Sequence, residues 1–286
     1  MTNPEEKHKT LCYSEFDVLK RVVVCQPQYM TIREVINETQ EHFKDEGIHI
    51  EKALEQHGKM VNVLRDHGIE VILLPYHKKY PEQVFTRDIG FTLGKTIFVA
   101  EMASDVRRGE QDVLKQWLED EEISYYNLIG HFIEGGDVIV DRDTVYVGLS
   151  NRTNLGAVQH LQSLLKEFEV VPVPFTEKYL HLDCVFNVIS PELALYFPEA
   201  FQKQEADILS KRYHLIEVTK DEQFTLGTNV LSIGNNKILS LPINKIVNQQ
   251  IRDHGFEVIE VDITEIIKSG GSFRCCTLPV FRQHTV

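Results

Sequence analysis

No apolar run in this sequence approaches the ~20 residues that a membrane-crossing helix requires. The first residues, Met1-Thr2-Asn3-Pro4-Glu5-Glu6-Lys7, contain no apolar leader region. Basic charge is scarce too: 30 lysines and arginines face 43 acidic residues, a formal net charge of −13. That balance argues against non-specific nucleic-acid binding, which needs a basic surface, and it permits a small cationic substrate. The five cysteines are an odd number, and positions 12, 25, 184, 275 and 276 carry neither disulfide nor zinc spacing. No Gly-x-Gly-x-x-Gly or phosphate-loop sequence occurs. The expectation is a reduced, cytoplasmic protein with no nucleic-acid or membrane partner. A homo-oligomer is compatible with all of this.

What the chain does have is a repeat. Its 286 residues, 42% of them hydrophobic, suffice for a sizeable core, and one domain spanning residues 1–286 is expected. Leu19 to Cys25 reads as a first strand, and residues 26–47 follow as a polar, acidic connection long enough to form a lid or a partly helical excursion. Ile50, Ala53, Leu54, Met60, Val61 and Leu64 then recur at helical spacing. The helix runs into a strand through Arg65-Asp66-His67-Gly68-Ile69-Glu70-Val71-Ile72, and the phrase returns as Arg252-Asp253-His254-Gly255-Phe256-Glu257-Val258-Ile259. Looser helix-to-strand passages lie at 118–128, 164–173 and 209–218, so five junctions recur at roughly regular intervals. Strand pairs precede several helices, turning at Asp141-Arg142-Asp143 and Asn235-Asn236. Pro198 and Pro242 stand where first helical turns should begin. Helices alternating with strands usually signal a doubly wound sheet. A closed ring of five strand–strand–helix–strand units fits the repeat better, with sites where loops converge on the axis.

Polar clusters interrupt the apolar segments. Phe85-Thr86-Arg87-Asp88 enters an expected strand, Ile89 to Ala100, and Glu134-Gly135-Gly136-Asp137-Val138 enters a hairpin. Gly148-Leu149-Ser150-Asn151-Arg152-Thr153-Asn154 follows, and His181-Leu182-Asp183 opens an expected strand, Cys184 to Ile189. In extended chain, His181 and Asp183 would share a face. Near the end, Ser269-Gly270-Gly271-Ser272-Phe273-Arg274-Cys275-Cys276-Thr277 sets a thiol just after a glycine loop. In extended chain the two cysteines would point to opposite faces. A thiol, an imidazole and carboxylates are what nucleophilic attack on a cationic carbon requires. Each residue also has a plainer reading: Asp88 pairing with Arg87, Glu134 in an exposed turn, Arg152 on a helix carboxylate, His181 a structural histidine, Cys275 a buried small hydrophobe. His131 with Glu134, or His181 with Asp183, could be imagined as metal ligands. No zinc-type pattern completes either pair, so no metal is expected.

Taken together and in this order, Phe-Thr-Arg-Asp, Glu-Gly-Gly-Asp-Val, His-Leu-Asp and the glycine-led Cys-x-Thr resemble the guanidine-modifying (amidinotransferase/deiminase) superfamily. The likeness runs from about residue 19 to 282. It is closest to the dimethylarginine dimethylaminohydrolases, through Gly148 to Asn154, Val171-Pro172-Val173-Pro174 and the Cys-Cys doublet. The resemblance implies an α/β fold, a five-bladed α/β propeller of ββαβ units with pseudo-fivefold symmetry. It makes Cys275 the nucleophile, His181 the general acid/base and Glu134 the orienting carboxylate. Asp88 and Asp183 would hold the guanidinium and Arg152 the substrate's carboxylate. The implied activity is hydrolysis of a small cationic guanidino substrate, dimethylarginine first, to citrulline and an amine through a covalent thiouronium, with no cofactor. The alternatives are an amidinotransferase, an arginine deiminase-type activity, or a non-catalytic guanidine-binding protein. His-Leu-Asp is the pattern of deiminases and amidinotransferases. Arg274 has no assigned role.

Overall fold

The computed structural model describes residues 9–284, so the reading of Met1 to Lys7 as lacking an apolar leader lies outside the described residues. The strands form five three-stranded sheets. In each, a middle strand pairs antiparallel on one side and parallel on the other. Antiparallel neighbours need only a tight turn, whereas a parallel pair needs a crossover. That difference produces the repeated strand–strand–helix–strand order.

The first unit is shared by the two ends of the chain. Strand β1 (Val18–Cys25) leads through helices α1 (Glu38–Phe43) and α2 (Ile50–Asp66) to β2 (Glu70–Leu74). Its antiparallel neighbour is the last strand, β15 (Leu278–Gln283). The second unit is β3 (Gly90–Leu93), β4 (Thr96–Val99), α3 (Glu110–Asp120) and β5 (Tyr125–Asn127). Next come β6 (Val138–Asp141), β7 (Thr144–Leu149), α4 (Leu155–Leu164) and β8 (Glu169–Pro174). The fourth unit is β9 (Phe186–Val188), β10 (Leu193–Tyr196), α5 (Lys203–Ser210) and β11 (His214–Glu217). After the short α6 (Lys220–Phe224), the last is β12 (Leu231–Gly234), β13 (Lys237–Ser240), α7 (Lys245–Asp253) and β14 (Glu257–Glu260). Helix α8 (Thr264–Ile267) then precedes the glycine loop.

Local chemistry explains why the units recur. At both Arg-Asp-His-Gly junctions the histidine ends the helix, and its Nδ1 lies 2.8 Å from the carbonyl four residues back, that of Val63 or Gln250. Gly68 and Gly255 follow at φ +74° and +87°, the left-handed turn that ends a helix and that glycine adopts without a Cβ clash. The two phrases therefore occupy equivalent places in two units. The Asn235-Asn236 turn has φ +52° and +55°, the mirror-image turn that matches the twist of a hairpin.

The sheets pack on one another through named contacts. β15 meets β3, β6 meets β9, and β1 meets β12. Phe91 and Phe98 share a buried cluster with Val138 and Val140, and Asn187 donates to the carbonyls of Thr228 and Val230. Several expectations need correcting. The span Ile89 to Ala100 is a hairpin rather than one strand, turning at Gly94 and Lys95. The strand expected over Cys184 to Ile189 is only Phe186–Val188, because a 3-10 turn takes Leu182–Cys184. Pro198 opens a 3-10 turn, Pro198–Ala200, and the helix starts only at Lys203. Pro242 likewise precedes its helix, which starts at Lys245. No helix among the described residues is long and apolar enough to cross a membrane.

Candidate active site

The polar clusters meet at strand entrances, and glycine allows the approach. A Cβ on Gly136 would lie 2.7 Å from the His181 ring and 2.8 Å from Asp88 Oδ1. Only a residue without a side chain lets the Glu-Gly-Gly-Asp, Phe-Thr-Arg-Asp and His-Leu-Asp segments close on one another. Asp137 ties them further. Its Oδ1 accepts from the Leu182 N–H at 2.9 Å, and its Oδ2 accepts from the Ser150 hydroxyl at 2.6 Å.

His181 sits between two carboxylates. Its Nε2 is 2.8 Å from Glu134 Oε2, and its Nδ1 is 3.6 Å from Asp88 Oδ1. Burial opposes the imidazolium, but the Asp88 charge and the Glu134 hydrogen bond outweigh it and hold His181 up at about 9. Glu134 is itself buried, which opposes its charge, yet the His181 hydrogen bond and the Arg107 and Arg152 guanidiniums hold it well below the usual carboxylate range. Two cations back these acids. Arg107 Nη1 donates to Asp88 Oδ2, and Arg152 Nη1 lies 3.5 Å from Glu134 Oε1. Asp88, Glu134 and His181 each present a potential metal-ligand atom, within 4.8 Å of one another. Arg107 and Arg152 offset part of this negative charge.

Cys275 lies on the second side of the cluster. Its Sγ is 3.8 and 3.9 Å from the two Asp183 oxygens, and its N–H donates to Asn229 Oδ1 at 3.1 Å. Asn229 Nδ2 in turn donates to the Asp183 carbonyl at 3.2 Å. Burial and the Asp183 charge push the Cys275 thiol well above its ordinary value.

The cysteines do not lie in extended chain. The Cys276 N–H donates to the Ser272 carbonyl at 3.0 Å and the Thr277 N–H to that of Arg274 at 3.1 Å, so Ser272 to Thr277 is a helical turn ahead of β15. His181 is extended, but Leu182–Cys184 is a 3-10 turn, so His181 and Asp183 are not alternate residues of a strand. The structure thus brings together Asp88, Glu134, Arg152, His181, Asp183 and Cys275. It does not pair Asp88 with Arg87, whose N–H donates to the Cys275 carbonyl and whose guanidinium lies 3.7 Å from Glu15. Arg152, expected to face a substrate, rests against Glu134.

Three contributors escaped the sequence reading. Arg107, 1% exposed, holds Asp88 and Glu110 together. Arg274, also 1% exposed, donates to Asp183 Oδ2 at 2.7 Å, Glu15 Oε1 at 3.0 Å and the Val138 carbonyl at 2.6 Å. The Cys184 thiol lies 3.7 Å from Asp183 Oδ1. Arg274 beside Cys275 was the one available signal. Cys184 also lines a narrow cleft with Glu38, Lys178, Leu180, Phe224 and Gly270, and none of the clustered acids, His181 or Cys275 lines it. Helix α1, inside the segment read as a lid, forms one wall. Its Glu38 pairs with Lys178 at 3.1 Å, and its buried Gln40 bonds both Glu82 and Ser269. A wider apolar cavity lined by Leu155, Pro172 and Ile208 contains none of the clustered acids, imidazole or thiols.

The model of the family described as N,N-dimethylarginine dimethylhydrolase, eukaryotic, matches residues 26–282. The chain belongs to that family. It is 53% identical to the protein YkgA of Bacillus subtilis (strain 168), over 98% of each chain. It is 26% identical to the N(G),N(G)-dimethylarginine dimethylaminohydrolase of Mycobacterium tuberculosis, over 91% of this chain and 86% of that one. Among solved structures, the product-bound N-terminal domain of ArgZ, an arginine dihydrolase from cyanobacteria, superposes with a TM-score of 0.85 at 27% identity. That match covers 93% of this chain and 98% of that domain. The whole Synechocystis ArgZ is a bifunctional arginine dihydrolase/ornithine cyclodeaminase, and this chain spans 37% of its length. Membership of a family of guanidine-modifying hydrolases agrees with the order of motifs in the sequence.

Proposed function

We propose that the protein is a cysteine-dependent hydrolase of a guanidino compound, working through a covalent thiouronium on Cys275. The observation that carries this reading is the convergence of two thiols, one imidazole and buried carboxylates. The reading treats residues 1–286 as one domain, a closed ring of five ββαβ units. The sheet-to-sheet contacts support such a ring, since each sheet touches two others.

In the proposed sequence a guanidinium reaches the buried acids and pairs with Asp88 and Asp183. Its positive charge lowers the cost of ionising Cys275, whose thiol proton passes to solvent water. The thiolate attacks the central carbon. As the carbon–nitrogen bond breaks, the departing nitrogen takes a proton from His181. Glu134 fixes Nε2, which leaves Nδ1 as the atom that moves the proton. Neutral His181 then takes a proton from water, the resulting hydroxide adds to the thiouronium, and Cys275 leaves as thiolate. The products are a ureido compound, citrulline for an arginine-type substrate, and an amine or ammonia. Arg152, freed from Glu134, is assigned to a substrate carboxylate.

A screen of arginine, methylated arginines and agmatine for ureido product tests the reading. It should be joined to mass spectrometry of protein quenched during turnover. An amidino adduct on Cys275 is expected. No ureido product from any of these guanidines, with no adduct, would sink it.

A further inference from the structure

The Val171-Pro172-Val173-Pro174 phrase has no part in the chemistry proposed above, and the structure gives it another place. Strand β8 ends its sheet, in the order β6-β7-β8, so one of its edges pairs with nothing in that sheet. Pro172 and Pro174 have no N–H to offer there, which blunts the edge against a further strand. Residues 171–174 instead line a cavity of about 330 Å³, together with Ile208 and Leu209 of α5. Val173 and Leu209 are buried, whereas Ile208 and the neighbouring Leu155 are 43% and 49% exposed, so an apolar lining runs from the core to the surface. The volume falls near the lower end of the ~300–1,000 Å³ usual for small-molecule sites.

One lining residue lacks a hydrogen-bond partner. Glu205 of α5 lies in the wall, and its Oε2 is shut off from water with no partner among the described residues. A carboxylate oxygen in that state carries the cost of its lost hydration, which a ligand N–H would relieve. Among the described residues no lysine, arginine or histidine lines the cavity. A cation is therefore the ligand charge that fits, and an amino-acid carboxylate would find no partner. Gln204, also in the lining, offers an amide oxygen to a second N–H. We infer that this cavity is a ligand site separate from the acids, His181 and Cys275, and that it takes a small apolar amine in its protonated form. The alkyl body packs on the prolines, Leu155 and Ile208, and the ammonium donates to Glu205. Rotation about the soft last torsion of Glu205 presents either oxygen.

Calorimetry on the full chain with n-hexylammonium, 1-hexanol, hexanoate and arginine tests this. The ammonium should bind at one site, at least about tenfold tighter than the alcohol, because its hydrogen bond to the carboxylate is charge-assisted. Neither hexanoate nor arginine should displace it. Glu205→Gln should weaken the ammonium to the level of the alcohol and leave the alcohol unchanged. Asp207→Asn, at an exposed acid of the same helix, controls for attraction by an acidic surface and should change nothing. No saturable binding, equal affinity for ammonium and alcohol, displacement by arginine, or an equal loss in Asp207→Asn overturns the inference. So does a dimer in light scattering that Ile208→Asp splits while no amine binds, since a second copy then covers the cavity.

Discussion

Replacing Arg274 with methionine should be among the most destabilising single changes in the chain. The side chain is 1% exposed and donates to Asp183 Oδ2, Glu15 Oε1 and the Val138 carbonyl. Burial opposes its charge, but Glu15 and Asp183 more than offset that. Methionine fills a similar volume and donates nothing, so all three acceptors lose this partner. Glu15 keeps partial compensation, from Arg87 at 3.7 Å and the Val140 N–H at 3.2 Å. Asp183 is left with two thiols beside it. Removing one partner of a buried ion pair costs about 3–5 kcal/mol, a large part of a total stability of about 5–15 kcal/mol. Urea unfolding at pH 7, followed by circular dichroism, measures the loss. Arg108→Met is the control: Arg108 and Asp105 pair at 2.6 Å but are 63% and 84% exposed, and such pairs contribute about 1 kcal/mol or less. If Arg274→Met loses no more than Arg108→Met, the buried network does not hold Asp183 in place as argued.

The repeat was legible because its signal is local. A histidine cap and a left-handed glycine can be read from consecutive letters, and the phrase at 65–72 repeats at 252–259 with one change. The Asn235-Asn236 hairpin was legible for the same reason. The ion network was not. Arg107 stands beside Arg108, yet one guanidinium is buried on Asp88 and the other is in solvent. No periodicity of the chain distinguishes them. Arg274 and Glu15 are 259 residues apart and meet only because β15 closes the first sheet against β1. The extended-chain arguments for His181 with Asp183, and for the cysteine pair, failed for another reason. Both segments are short turns at strand entrances, where backbone N–H groups bond back to nearby carbonyls before the strand begins. A run of apolar letters shows where a strand lies more surely than where it starts.

Two further outcomes follow from the buried charges and thiols. The neighbouring carboxylates raise His181 in the folded protein to about 9, against 6.5 when free. Its contribution, roughly 3 kcal/mol at 1.36 kcal/mol per unit, is full below pH 6.5 and is lost as pH rises through 9. Wild-type melting temperature should therefore fall across that window relative to His181→Gln, and parallel curves would contradict it. The other outcome decides which thiol reacts. On a helical turn neighbouring side chains diverge by about 100°, so Cys275 and Cys276 still face different surroundings. Cys275 lies against Asp183, which the proposed mechanism places at the guanidinium, and its N–H is fixed by Asn229. Cys275 and Cys276 both belong to the main apolar cluster, so burial does not separate them, and it is the contact with Asp183 that marks Cys275. Cys184 is the real rival, since it also touches Asp183 and lines the cleft. Its thiol is pushed well up by burial and by Asp183, as that of Cys275 is, so acidity alone does not separate the two. Nor does the backbone, since the Cys184 N–H donates to the His181 carbonyl at 3.1 Å and its carbonyl accepts from Gln223, as those of Cys275 are held by Asn229 and Arg87; the choice of Cys275 rests on the glycine-led Cys-x-Thr motif. Turnover should vanish in Cys275→Ser and persist within about tenfold in Cys276→Ser and Cys184→Ser, since neither removes the bond-forming sulfur. An adduct found on Cys184, or an active Cys275→Ser protein, would move the nucleophile and with it the roles given to Asp183 and Asn229.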